Sequence, residues 1–204
     1  MHTILVGLVG SVAVLASSLV GSPTATAPSV TTGTNTAFSV THPHTTRVTA
    51  ATNFISWPKD VTYIYDKTAS LKKADGSPVW PVAAAAQRWS AGNPVDLRYT
   101  TKGCPSNSQC VTVRQAEMAA PTAGLTATGF AGGDIKSSNV TLDTTFGRKE
   151  SAAKRRNVVC HELGHSLGLT HRLSTSSCLT SYVTSQRYPD TTDIKNLKIM
   201  YGYR

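Results

Sequence analysis

The sequence predicts an α+β domain in which a sheet of about five strands supports one long helix and a shorter helix at the C-terminus. Three observations lead there. Short runs rich in β-branched and aromatic residues recur between turn signals. They fall in the order strand, helix, four strands, helix, helix, which suits neither an all-β nor a regularly alternating βαβ chain. The chain of 204 residues is also long enough for one domain of ordinary size preceded by processing segments.

Taken in order, Val61-Thr62-Tyr63-Ile64-Tyr65 is β-branched and aromatic and reads as the first strand. After the turn Asp75-Gly76-Ser77-Pro78, the segment Pro81–Ser90 has Pro near a helix start, a run of Ala and Gly92 as a stop. Asp96–Thr100 and Cys110–Val113 read as strands, with the turn-rich CPSNSQC between them. Leu125–Phe130 and Asn139–Asp143 are two more, separated by the glycine-rich AGGDIKSS. A long helix is expected from about Glu150 to Leu167, and a short one over Asp193–Tyr201 ends the chain. No internal repeat is visible.

Residues 1–27 contain no Lys, Arg, Asp or Glu, and the apolar run Ile4–Val20 followed by Ala25-Thr26-Ala27 reads as a signal peptide with a small-x-small cleavage site. Residues 28–52 are rich in Thr, Ala, Ser and Pro and read as a pro-segment or linker. A folded domain is expected over 53–204. His42 and His44 have a Pro between them and no ligand-type neighbours, so a metal site there is not expected. No other segment has the ~18 apolar residues needed to span a bilayer, so no stable membrane insertion is expected after signal removal. The export signal predicts a secreted protein, expected to be a monomer.

The formal charge is +9, from 20 basic and 11 acidic residues. The densest basic cluster, Lys154-Arg155-Arg156, lacks aromatic neighbours for base stacking, so nucleic acid is not an expected partner. An even count of four cysteines behind a signal suggests two disulfides among three possible pairings. Pairing Cys104 with Cys110 would close the CPSNSQC turn.

The informative stretch is CHELGHSLGLTH, Cys160 to His171. At 100° per residue, His161 and His165 stand one turn apart on one side of a helix, where two imidazoles can reach one zinc ion at ~2.0–2.1 Å. Glu162 sits beside them, turned far enough that it need not ligate and near enough to act on a water at the metal. Val159, Leu163, Ser166 and Leu167 face the other way, toward a core. Gly168 adopts a left-handed backbone cheaply and lets the chain turn back. That turn can return His171 as third ligand; a continuing helix would carry it about 15 Å beyond His161. Three histidines leave a position open for water, the mark of a catalytic rather than a structural zinc site.

HELGHSLGLTH resembles the extended HExxHxxGxxH signature of the metzincins, the zinc endopeptidases that include astacins, matrixins and reprolysins. The glycine-rich segment, the strand NVTLD and the long helix follow in a matrixin-like order, and YPDTTDIKNLKIMYGY is similar to the ending of small secreted bacterial metzincin-like proteins. The resemblance covers roughly Asn53 to Arg204. It implies the zincin-like fold, a twisted mixed sheet with an active-site helix and a C-terminal helix, and one Zn²⁺ held by His161, His165 and His171. Metzincins set a methionine in a tight turn beneath the metal; here Leu179, in SSCLTS, is the preferred equivalent, with Met200 as the alternative. Cys178 would then tether that turn to Cys160 at the start of the motif. Tyr182 is expected to pack rather than to serve as an astacin-type phenol, and no cysteine lies upstream of Cys104 to act as a matrixin-type switch.

The chemistry this implies is hydrolysis of peptide bonds by a zinc-activated water with Glu162 as general base. The partner is then a protein or peptide substrate, which could lie as an added strand along Gly124–Phe130, where side chains are small. A cell-wall peptide amidase and a non-catalytic, zinc-stabilised binding protein are the competing readings. Scattered charge and the presence of Glu162 argue against the second.

Overall fold

The structure, a computed structural model, describes residues 55–92 and 94–202. The signal peptide, the 28–52 linker, His42 and His44, and the start of the domain at Asn53 lie outside the described residues. The elements run β1 (Val61–Asp66), α1 (Val82–Ser90), β2 (Asp96–Thr100), β3 (Cys110–Ala116), β4 (Gly124–Ala131), β5 (Asp134–Asp143), α2 (Thr144–Lys149), α3 (Ala152–Ser166) and α4 (Thr191–Gly202).

The strands form one mixed sheet of order β2-β1-β3-β5-β4, as the α+β expectation required. The β1–β2, β1–β3 and β3–β5 pairs are parallel, and only β4 runs antiparallel, against β5. β4 therefore lies at an edge, with no strand beyond it among the described residues. Along β1 the burial alternates, so Thr62, Ile64 and Asp66 point inward while their neighbours are half-buried. Helix α1 packs against β1 and β2, α3 against β4 and β5, and the two helices touch each other. Trp57, Trp80 and Trp89, none more than 1 % exposed, fill the core with Val111, Val113, Val140 and Leu142 from the sheet.

One expectation is corrected, and one element appears that was not expected. AGGDIKSS is not a separating loop: β5 begins at Asp134, and only Gly132 and Gly133 turn the chain. Both glycines have positive φ (62° and 84°), the turn geometry whose twist matches that of a hairpin's strands. The polar run after them hid the strand, although Ile135 is 1 % exposed. The long helix expected from about Glu150 to Leu167 is α3, Ala152–Ser166, and a short helix precedes it that was not expected. Thr144–Lys149 forms its own short helix, capped by the Asp143 carboxylate accepting from Phe146 N–H at 2.6 Å. Glu150 and Ser151 are extended, and the Ser151 hydroxyl caps the start of α3 at Lys154 N–H. Serine competes for the backbone donor better outside a helix than within one, which breaks the run there.

The end of α3 is buried and its exposed carbonyls find partners from distant segments. Trp57 Nε1 donates to Ser166 O at 2.9 Å and Tyr201 Oη donates to Leu167 O at 3.0 Å. Helix α4, expected over Asp193–Tyr201, is thereby tied to the end of the motif helix. Among the described residues, no helix is long and apolar enough to cross a membrane.

Candidate metal centre

Helix α3 carries His161, Glu162 and His165 in its last two turns. Beyond it, Leu167 caps the helix, Gly168 takes φ 93°, Gly168 N donates to His165 O at 3.0 Å, and Leu169 N reaches back to Gly164 O at 3.1 Å. These paired bonds close the helix C-terminus in the manner for which a left-handed glycine is suited. A Cβ on Gly168 would lie 2.0 Å from Ile55 O and 2.9 Å from Met200 Cε, so space as well as backbone conformation demands glycine there. The turn brings His171 back to the helix, as its spacing predicted.

The three rings meet. His161 Nε2 lies 2.9 Å from His165 Nε2 and 3.1 Å from His171 Nε2. Among the described residues these three side chains form the group able to hold a metal, their ligand atoms all within 4.8 Å of one another. His161 Nδ1 faces Cys178 O at 2.9 Å and His165 Nδ1 faces Leu169 O at 2.8 Å. A carbonyl oxygen can only accept, so both Nδ1 atoms carry protons and both Nε2 atoms present bare lone pairs. Lone pairs crowded at such distances repel unless a cation sits among them, and the donor set suits zinc.

The electrostatics agree with that demand. Burial, reinforced by the neighbouring imidazoles of His165 and His171, holds His161 well below its ordinary range. Burial and then His171 bring His165 down to about 4, and burial also lowers His171. All three rings are thus neutral at neutral pH, the form that ligates a metal. Glu162 is 1 % exposed, and burial pushes its carboxyl up to about 8, against the opposing pull of the Thr126 hydroxyl. The site face of the helix is closed from solvent as well as the core face: His161 and Glu162 are as buried as Val159 and Leu163.

Leu179 is fully buried, and a Cβ on Gly164 would lie 2.6 Å from its Cδ2 and 2.8 Å from Trp89 Cζ2. Leu179 thus packs against the motif helix at Gly164, while Met200 touches the Gly168 turn. Two disulfides, Cys104–Cys110 and Cys160–Cys178, are present. The second joins the residue before His161 to the residue whose carbonyl accepts from that histidine. Tyr182, expected to pack, is instead 45 % exposed.

Several contributors to this site were not read from the sequence. Arg172, next to His171, places Nη1 2.5 Å from Asp190 and 2.6 Å from Asp193 on the other side of a long loop. Asp193 is fully buried and also accepts from Ser177 Oγ at 2.6 Å. This network ties α4 to the segment holding Cys178 and Leu179. Thr126 of β4 lies 2.7 Å from a Glu162 carboxylate oxygen. Neither pairing has a signal in local spacing.

Comparison with known proteins finds no curated protein that matches the chain. Among solved structures, a chain in the GM1 bound form of the ECX AB5 holotoxin is similar at 15% identity and a TM-score of 0.48, covering 69% of this chain and 80% of that one. The matrixin family model matches residues 56–202, from the segment before β1 to the last residue of α4 and across the whole histidine site. The chain belongs to the matrixin family of peptidases.

Proposed function

We propose that the protein is a secreted zinc endopeptidase with a zincin-like site, in which His161, His165 and His171 hold the metal and Glu162 is the general base. The observation that carries this reading is the convergence of the histidine Nε2 atoms, two of them stripped of their protons by backbone carbonyls opposite Nδ1. Family membership supports the peptidase class, and zinc with it. Two disulfides and an apolar N-terminus fit export.

Zinc in this position supplies Lewis acidity, making a water nucleophilic near neutral pH and polarising the carbonyl it attacks. The chain's own groups do the rest. Main-chain groups of edge strand β4 hold an extended peptide. Glu162 takes the proton of the attacking water at its carboxylate and delivers it to the leaving nitrogen. A carboxyl raised to about 8 by burial is protonated at neutral pH until a positive charge stands nearby, so a dication is what makes Glu162 available as a base. Its burial keeps competing water away.

The test is cleavage of unfolded casein by the zinc-loaded protein, abolished by a chelator and restored by Zn²⁺. Glu162→Gln should keep one zinc per chain and lose nearly all hydrolysis. Retained activity in that variant removes the general-base role, and no casein cleavage by the wild type removes the endopeptidase reading.

A further inference from the structure

We propose that Thr126 and Gly124, on one face of β4, form the seat that positions the Glu162 carboxyl, and that Thr126 is a positioning residue for proton transfer. The inference rests on the reading of Glu162 as the base.

Residues i and i+2 of a strand share a face, so Gly124 and Thr126 present one surface to the helix that packs on β4. At Gly124 that surface is flattened to make room. A Cβ there would lie 2.8 Å from both Cγ and Oε1 of Glu162 and 3.0 Å from Val158 Cγ1. With glycine, the glutamate side chain rests directly on the strand backbone. At Thr126 the surface is polar: Oγ1 stands 2.7 Å from Glu162 Oε2 and 2.9 Å from the backbone carbonyl of the same glutamate. One hydroxyl thus stands within hydrogen-bond distance of the residue at both its side chain and its main chain, with its single hydrogen given to one oxygen at a time.

Oε1, the carboxyl oxygen that lies against Gly124, is buried with no hydrogen-bond partner among the described residues, so the Thr126 hydroxyl on Oε2 is the polar contact that fixes the carboxyl.

The experiment compares wild type, Thr126→Val, Thr126→Ser and Gly124→Ala, each loaded with zinc, on unfolded casein. Thr126→Val keeps the shape and removes the hydroxyl. It should lower kcat by roughly 10- to 100-fold, the scale of one hydrogen bond to a charged group, with KM and zinc stoichiometry unchanged. Thr126→Ser should restore most of that loss, and Gly124→Ala should lower kcat by displacing the carboxyl. A second measurement reads the contact without relying on activity: a double-mutant cycle of Thr126→Val and Glu162→Ala on the urea stability of the zinc-free protein, expected to be non-additive. Wild-type kcat in Thr126→Val, or an additive cycle, overturns the seat. A wild type that cleaves nothing while the cycle shows coupling removes the peptidase reading and bears out the contact.

Discussion

Replacing Gly168 by alanine tests the geometry of the site at one atom. Two costs combine. A residue with a Cβ held at φ 93° is in the left-handed region, which costs about 1–2 kcal/mol. The added Cβ would also lie 2.0 Å from Ile55 O, about 1 Å inside the ~3 Å below which real Cβ contacts essentially do not occur, and 2.9 Å from Met200 Cε. The methionine end can swing aside, but a backbone carbonyl can yield only by moving the segment that leads to Trp57. Overpacking of this kind costs about 1–3 kcal/mol. The sum, roughly 2–5 kcal/mol, is a large part of a typical domain's stability and would lower Tm by on the order of 10 °C. The same shift would disturb Leu169, whose carbonyl orients His165, and so weaken zinc binding. Gly76→Ala is the control, because Gly76 has φ 78° but nothing within 4 Å of its Cβ position. It should show the conformational cost alone, about 1–2 kcal/mol. Urea unfolding of both variants without zinc, with zinc affinity measured by chelator competition, gives the answer. If Gly168→Ala costs no more than Gly76→Ala and binds zinc as tightly as wild type, the reasoning fails.

Two further outcomes are expected. Arg172→Met should destabilise by about 3 kcal/mol, since it leaves the buried Asp193 without its counter-charge, and should weaken zinc binding through the displaced His171 loop; a urea midpoint within error of wild type would show that the network carries no load. Replacing Cys160 and Cys178 together by alanine should cost about 3 kcal/mol, the amount expected for opening a loop with a sequence separation of 18, and should loosen the carbonyl that orients His161. Equal stability of the variant and the wild type under oxidising conditions would contradict that.

The parts of the site legible in the sequence are those in which neighbours along the chain become neighbours in space. His161 and His165 meet because four residues make about one helical turn, and His171 returns because only glycine closes the helix at Gly168 without strain. Strands such as β1 were legible from β-branched and aromatic residues. The start of β5 and the helix α2 were missed because polar residues masked Ile135 and because Asp143, rightly read as a strand end, is also the cap of the helix that follows.

Sequence alone thus determined that His161, His165 and His171 can converge and that Glu162 stands beside them, since each depends on helical periodicity or on the backbone freedom of one residue. Only the tertiary structure decided what orients those groups. The Cys178 carbonyl behind His161, Leu179 beneath the helix, Thr126 against Glu162 and the Arg172–Asp193 pair all join segments that no local period relates. Such contacts exist because sheet order and helix packing bring distant residues together, and that arrangement is settled by burial of the core as a whole rather than by any motif.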